Sequence, residues 1–194
     1  MGDVMEIIIE KVLMEVKEEI EKHKLESADN YDFWENHIKY VYEESIRLAN
    51  LYGADLNVVK LGALLHDIAL IKKVGDRKDH HVNGAALSKE ILDKYNIEDD
   101  IKERVIGCVF NHRSSKNATN IEETCVADAD VLAHFANIPM LFNSAYNKNN
   151  CTLNDVKDWL YKSFEKDYND LSDRTKESFK ERYKNILDIV LGIK

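Results

Sequence analysis

The sequence predicts an all-α fold, a single-domain helical bundle of about seven to nine helices, and three observations predict it. One proline and seven glycines in 194 residues leave little of the turn chemistry that a β-sandwich requires. Apolar residues make up 44% of the chain, enough at this length to bury one sizeable core. They also recur mostly at helical rather than alternating spacing. No repeat or interdomain linker interrupts the pattern, so residues 1–194 read as one domain.

The elements follow in order. Over residues 4–25, Ile8, Val12, Val16 and Ile20 fall at four-residue steps with Glu and Lys between them, an amphipathic helix. Asp32 followed by Glu35 matches a capping box that opens a second helix near residue 33. That helix carries Phe33, His37, Val41, Ser45 and Leu48 on one face until Gly53 ends it. Asp55 or Asn57 caps the third, which runs through LGALLHDIALIKK (61–73) and dissolves near residues 72–75. Its nearly continuous hydrophobicity marks it as the central, enclosed helix. From Asp79 to about Tyr95 another helix carries His80, His81, Gly84, Leu87, Ile91 and Leu92. The next, from about Asp99 to His112, turns Ile101, Val105, Cys108 and Val109 inward. The polar stretch RSSKNATN after His112 reads as a mobile loop. Helix resumes near Ile121, delivers Asp128 and Asp130, and breaks before Pro139. Residues 152–193 read as two more helices, the last with Tyr183, Ile186, Leu187 and Val190 on one side.

Composition narrows the function classes. Three cysteines, Cys108, Cys125 and Cys151, form no close-spaced pair, which fits neither a disulfide framework nor a zinc ribbon and points to a reducing, cytoplasmic setting. The N-terminal segment interrupts its apolar residues with charge every few positions, so no signal peptide is expected. No apolar stretch reaches membrane-spanning length either. A net charge of −9 is a poor footprint for duplex nucleic acid, where phosphate neutralisation supplies most of the affinity. An anionic small molecule remains compatible, because a bound cation inverts the field locally. A homodimer is compatible with the sequence as well.

The chemistry concentrates in His66 and Asp67, side by side within an apolar run. An ionised carboxylate among Leu64, Leu65, Ile68 and Leu70 costs several kcal/mol to desolvate unless positive charge sits against it. A bound cation satisfies it most simply. The remaining donors are then sought among His37, His80 or His81, His112 and Asp130, each at the inner face or end of a different helix. Imidazole and carboxylate suit Mn, Fe, Co, Ni or Zn, and carboxylate also Mg. Taken singly, His37 reads as an ordinary core histidine, His112 as a helix-end histidine favoured by the macrodipole, and Asp130 as a surface carboxylate. The His66-Asp67 pair does not, because buried Asp is rare.

His37, then His66-Asp67 closing the segment Leu-Leu-His-Asp-Ile, then Asp130 within Asp-Ala-Asp, resembles the signature of HD-domain metal-dependent phosphohydrolases over roughly residues 30–135. The resemblance implies that His37, His66, Asp67 and Asp130 hold one divalent ion. For members with two ions it implies further ligands at His112 and at His80 or its neighbour His81 in HHVNGA, with Asp67 bridging. It also places Lys72 where small stand-alone members that act on nucleotides carry a lysine. Asp67, Lys72 and His112 are thus the candidates to act in catalysis, with Lys72, or more weakly Arg113, contacting phosphate. The implied activity is hydrolysis of a nucleotide or another small phosphoester or pyrophosphate, with one or two divalent ions per chain. A branch of the same fold that holds two irons and oxidises C–H or C–P substrates is the alternative, and a non-catalytic metal-containing ligand-binding module the third. Two departures stand out. Ala133 replaces a common aspartate, with His134 next to it, and Leu70 and Ile71 replace the acidic pair of alarmone hydrolases, which disfavours that activity. Neither His23 nor His134 receives a role.

Overall fold

A computed structural model describes residues 2–27, 31–146 and 152–192. Among the described residues the secondary structure is helical, with no strand. Helix α1 spans Gly2–Glu26 and buries Ile8, Ile9, Val12, Val16 and Ile20, the stripe read from the sequence. Lys60 bonds Glu6 at 2.9 Å, fixing α1 against the third helix.

Asp32 caps the second helical segment, accepting from the Glu35 amide at 3.1 Å, whereas Glu35 points to Lys39 instead of closing a capping box. The first turn, Trp34–Ile38, is π-helical, and α2 continues from Lys39 to Tyr52. This differs from the regular helix expected there. A π turn misplaces one carbonyl, and Asn137 supplies a donor to it, 2.8 Å from the Asn36 oxygen. Gly53 ends α2 at φ 76°, a left-handed turn that glycine adopts without strain.

Asp55 caps α3 (Leu56–Leu65), accepting from Asn57 at 2.9 Å. Buried Val58, Val59, Leu61, Leu64 and Leu65 make α3 the enclosed helix, in contact with α1, α2, α6 (Asp99–Asn111) and α7 (Ile121–Ala136). Each such side chain contributes roughly 1.5–3 kcal/mol by burial. At Gly62 a Cβ would lie 2.7 Å from that of Cys108, so the missing side chain sets how closely α3 and α6 approach.

The sequence predicted one helix through His66 and Asp67. The structure breaks it there: α3 stops at Leu65, Asp67 adopts φ −105°, ψ 16°, and a single turn, α4 (Ile68–Ile71), follows. That backbone region is sparsely populated and recurs at functional positions. A short 3-10 turn, Arg77–Asp79, precedes α5 (His80–Leu92), which packs on α4 and α6. The stretch expected to be a loop after His112 contains another 3-10 turn, Ser115–Asn117, and Ser115 donates to the Asp170 carbonyl at 2.6 Å. It is therefore tied down rather than free.

Helices α8 (Ile138–Tyr146), α9 (Leu153–Asp170) and α10 (Asp173–Ile186) complete the bundle around α7. Asp128, two residues from Asp130, faces the other way. It accepts from the Ser172 amide and hydroxyl at 2.8 and 2.5 Å and from Thr175 at 2.6 Å, pinning the start of α10. No single helix among the described residues is long and apolar enough to cross a membrane. Residues 28–30 and 147–151 lie outside the described residues, so the expected free thiol of Cys151 is not placed; Cys108 and Cys125 are free and buried.

Candidate metal centre

Three histidines share one local device. His66 Nδ1 donates to the Ala63 carbonyl at 2.8 Å, His112 Nδ1 to Val109 at 2.6 Å, and His80 Nδ1 to Arg77 at 2.6 Å. Each bond reaches back three residues to a carbonyl at the end of a helical turn. With Nδ1 committed as donor, the neutral ring presents Nε2 as a bare lone pair. The sequence consequence is direct: a histidine placed at or just beyond a helix end finds its own anchor.

These lone pairs converge. His80 Nε2 lies 2.9 Å from His112 Nε2, and His37 Nε2 lies 3.1 Å from His66 Nε2. The bare Nε2 atoms of His80 and His112 repel at such a distance unless positive charge lies between them. Donor atoms bound side by side to an ion with bonds of about 2.1 Å stand about 3 Å apart, which matches. The donor set therefore fits a divalent metal.

Asp67 stands between the two groups. Its Oδ2 is 3.5 Å from His37 Nε2 and 3.7 Å from His66 Nε2, while its Oδ1 is 3.4 Å from His80 Nε2 and 3.8 Å from His112 Nε2. Asp130 Oδ1 joins the first group, 3.0 Å from His37 and 3.8 Å from His66. The helix break at Asp67 makes this possible, since it swings one carboxylate to where each oxygen meets a different pair of rings. On the other side of α4, Gly84 lets α5 approach; a Cβ there would stand 3.2 Å from Val109 and 3.5 Å from the His66 carbonyl.

The electrostatics keep both carboxylates ionised. Burial works to raise the Asp67 pKa, but His66, His37 and His112 outweigh it and hold the carboxyl below its usual range. Asp130 is likewise held below it despite burial, chiefly by the hydrogen bond from His37. His112 is pulled down to about 4, by burial first and by His66 second, so it stays neutral and able to ligate.

The remaining candidates lie elsewhere. His81 leans on Phe110, ring centroids 5.5 Å apart, so of the two neighbours His80 is the one brought to the cluster. Lys72 Nζ pairs with Glu19 on α1 at 3.0 Å, an orientation the sequence could not reveal because it depends on where α1 crosses. Arg113 donates to the Lys78 carbonyl at 2.9 Å, joining the two loops that flank His80 and His112. His23 donates to the Ile71 carbonyl at 2.8 Å and holds α1 to α4. His134, given no role from the sequence, does stand beside the first group. Its ring stacks on His37, centroids 5.9 Å apart, and Asp167 lies 3.0 Å from its Nδ1. Its position four residues after Asp130 was the available signal, since that spacing puts both on one helix face.

The HD domain family model matches residues 34–134, which include the whole cluster. The chain belongs to the HD domain family. Its fold is shared with an HD-superfamily hydrolase of Bacillus thuringiensis, 20% identical, covering 96% of this chain and 94% of that one at a TM-score of 0.71. A protein of Listeria innocua is similar, 21% identical over 97% and 94% of the two chains, TM-score 0.69. In sequence, the chain is 33% identical over 141 residues to a tRNA (cytidine(56)-2'-O)-methyltransferase of Picrophilus torridus and 35% identical over 81 residues to its namesake in Thermoplasma volcanium. The alignments take in 65% and 42% of this chain but only 39% and 21% of those longer proteins.

Proposed function

We propose that this HD-domain chain is a metal-dependent phosphohydrolase acting on a nucleotide or another small phosphoester or pyrophosphate. One observation carries the reading: the two oxygens of Asp67 face two separate histidine pairs, each with its Nε2 atoms about 3 Å apart. His37, His66, Asp67 and Asp130 would hold one divalent ion, and His80, His112 and Asp67 a second. A bound ion would supply a water of lowered pKa and a Lewis acid for the phosphoryl oxygen.

The protein's own part is to prepare that place. The carbonyls of Ala63, Val109 and Arg77 fix the ring tautomers, so no reorganisation is needed when charge arrives. His80 sits toward the exposed side of its group, and Arg113 follows His112 on the loop above it, where a planar guanidinium can take phosphate oxygens. Lys72 can do the same only after leaving Glu19. The activity in the name of the archaeal relatives belongs to proteins of which this chain spans a minor part, and a set of imidazole and carboxylate donors gives no reason to carry methyl transfer over.

Stripping and reconstituting the protein with Mn²⁺, then testing nucleoside triphosphates and monophosphates, cyclic dinucleotides and an aryl phosphate, is the direct assay. His66→Ala and Asp67→Ala should each abolish both retained metal and turnover; native-rate hydrolysis by either variant would refute the site. The same six donors sharing one carboxylate also favour a second reading, a two-iron oxygenase. A mixed-valent di-iron paramagnetic resonance signal in the partly reduced, iron-loaded protein would support it, and iron bound without that signal would exclude it.

A further inference from the structure

His134 and Asp167 form a pair that the six-donor set does not use. His134 lies on α7 one turn beyond Asp130, and Asp167 on α9 is 7% exposed. Asp167 Oδ2 is 3.0 Å from His134 Nδ1. The ring lies nearly parallel to that of His37, planes 20° apart, and one donor atom from each of His37, Asp130 and His134 falls within 4.8 Å of the others. Because Nδ1 is engaged by Asp167, the nitrogen left to face the group is Nε2.

This repeats the arrangement of His66, His80 and His112, with a buried carboxylate in place of a backbone carbonyl. A carboxylate behind a ligating imidazole fixes its tautomer and raises its basicity. A merely structural ion pair between α7 and α9 would have no need to stack the ring on His37 and bring a ring nitrogen within 4.8 Å of donor atoms of His37 and Asp130.

We propose that His134 is a further ligand of the ion on the His37 side of Asp67, and that Asp167 is the residue that positions it. The proposal rests on the metal reading above and refines it. With His134 included, that side has five candidate donor residues, His37, His66, Asp67, Asp130 and His134. The other side gathers three, His80, His112 and Asp67. Sites nearly filled by protein hold their metal, whereas those with few protein donors keep positions open to exchange. The His37 side is thus the tight, closed site, and the His80 side the one left for water and a phosphoryl oxygen.

The test is a Co²⁺ titration of the full, chelator-stripped chain against a competing chelator, read by affinity and by visible absorption, alongside His134→Asn and Asp167→Asn. The expected result is that His134→Asn weakens the tighter ion by about 10–100-fold and alters its absorption, with the weaker ion unchanged; Asp167→Asn weakens the same ion by about tenfold. A purely structural pair would instead lower the melting temperature of the metal-free variants and leave both affinities and spectra native, which would overturn the proposal. Wild-type protein that binds no Co²⁺ would overturn it together with the metal reading, whereas native binding by His134→Asn would overturn it alone.

Discussion

At the scale of single residues, the decisive fact is that the rings of His66, His80 and His112 are told which nitrogen to offer. His112 shows the consequence for stability. Burial and His66 hold it at about 4, against about 6.5 when the chain is unfolded. Between those values the unfolded chain takes up a proton that the folded one refuses, so stability rises as pH climbs from about 4 to 6.5. In metal-free protein His134 has the opposite sign: desolvation is outweighed by Asp167 and Asp130, which raise it to about 9, so its contribution is complete below 6.5 and is lost as pH rises through about 9. In metal-free protein, His112→Asn should remove part of the acid-side dependence, at most about 1.4 kcal/mol per pH unit, measured by urea unfolding at pH 5 and 6.5. An unchanged slope would show that His112 is not held neutral. Asp128 is the contrasting residue. Asp128→Ala should cost about 2–4 kcal/mol by stranding Ser172 and Thr175, and should leave metal affinity unaltered.

Elements decide what sequence periodicity could and could not reveal. Spacing put His37, His66, Asp67, His112 and Asp130 at inner faces or ends of separate helices; the resemblance singled them out as a set, and the structure brings their side chains together. The choice between His80 and His81 was not, since both face partly inward and only the start of α5 after the 3-10 turn separates them. The break at Asp67 and the π turn at His37 were equally hidden. Apolar spacing tolerates both, and what selects them is the Asn137–Asn36 bond and the packing of α5 against α4, contacts across 101 and about 15 residues. Asn137→Ala should therefore loosen the His37 turn, weakening metal binding severalfold while costing about 1 kcal/mol of stability. Native affinity in that variant would show that the turn does not depend on the bond. Gly62→Ala tests the packing of α3 on α6, with an expected loss of about 1–3 kcal/mol from the contact with Cys108.

For the whole molecule, an acidic chain gathers five of its seven histidines and two of its aspartates at one place inside an otherwise apolar core. The all-α class followed from composition and spacing, and the sequence signature named the family that the comparisons then showed; the buried core reaches beyond the signature-bearing residues 30–135, to residues 8–20 of α1 and to Leu160 and Phe164 of α9. What no local pattern encodes is which side chains of distant helices meet: Lys72 turns to Glu19 of α1, and Asp167, 33 residues along the chain, reaches His134. An ion held there would add its binding free energy to that of folding. Chelation should lower the melting temperature, and excess Mn²⁺ should restore it by the binding free energy of the folded state. The most direct measurement is an anomalous difference map at the manganese edge from crystals grown with Mn²⁺. The expected result is density on both sides of the Asp67 carboxylate, one peak among His37, His66 and Asp130 and the other between His80 and His112; a map empty beside Asp67, with manganese bound elsewhere or absent, would contradict the assignment.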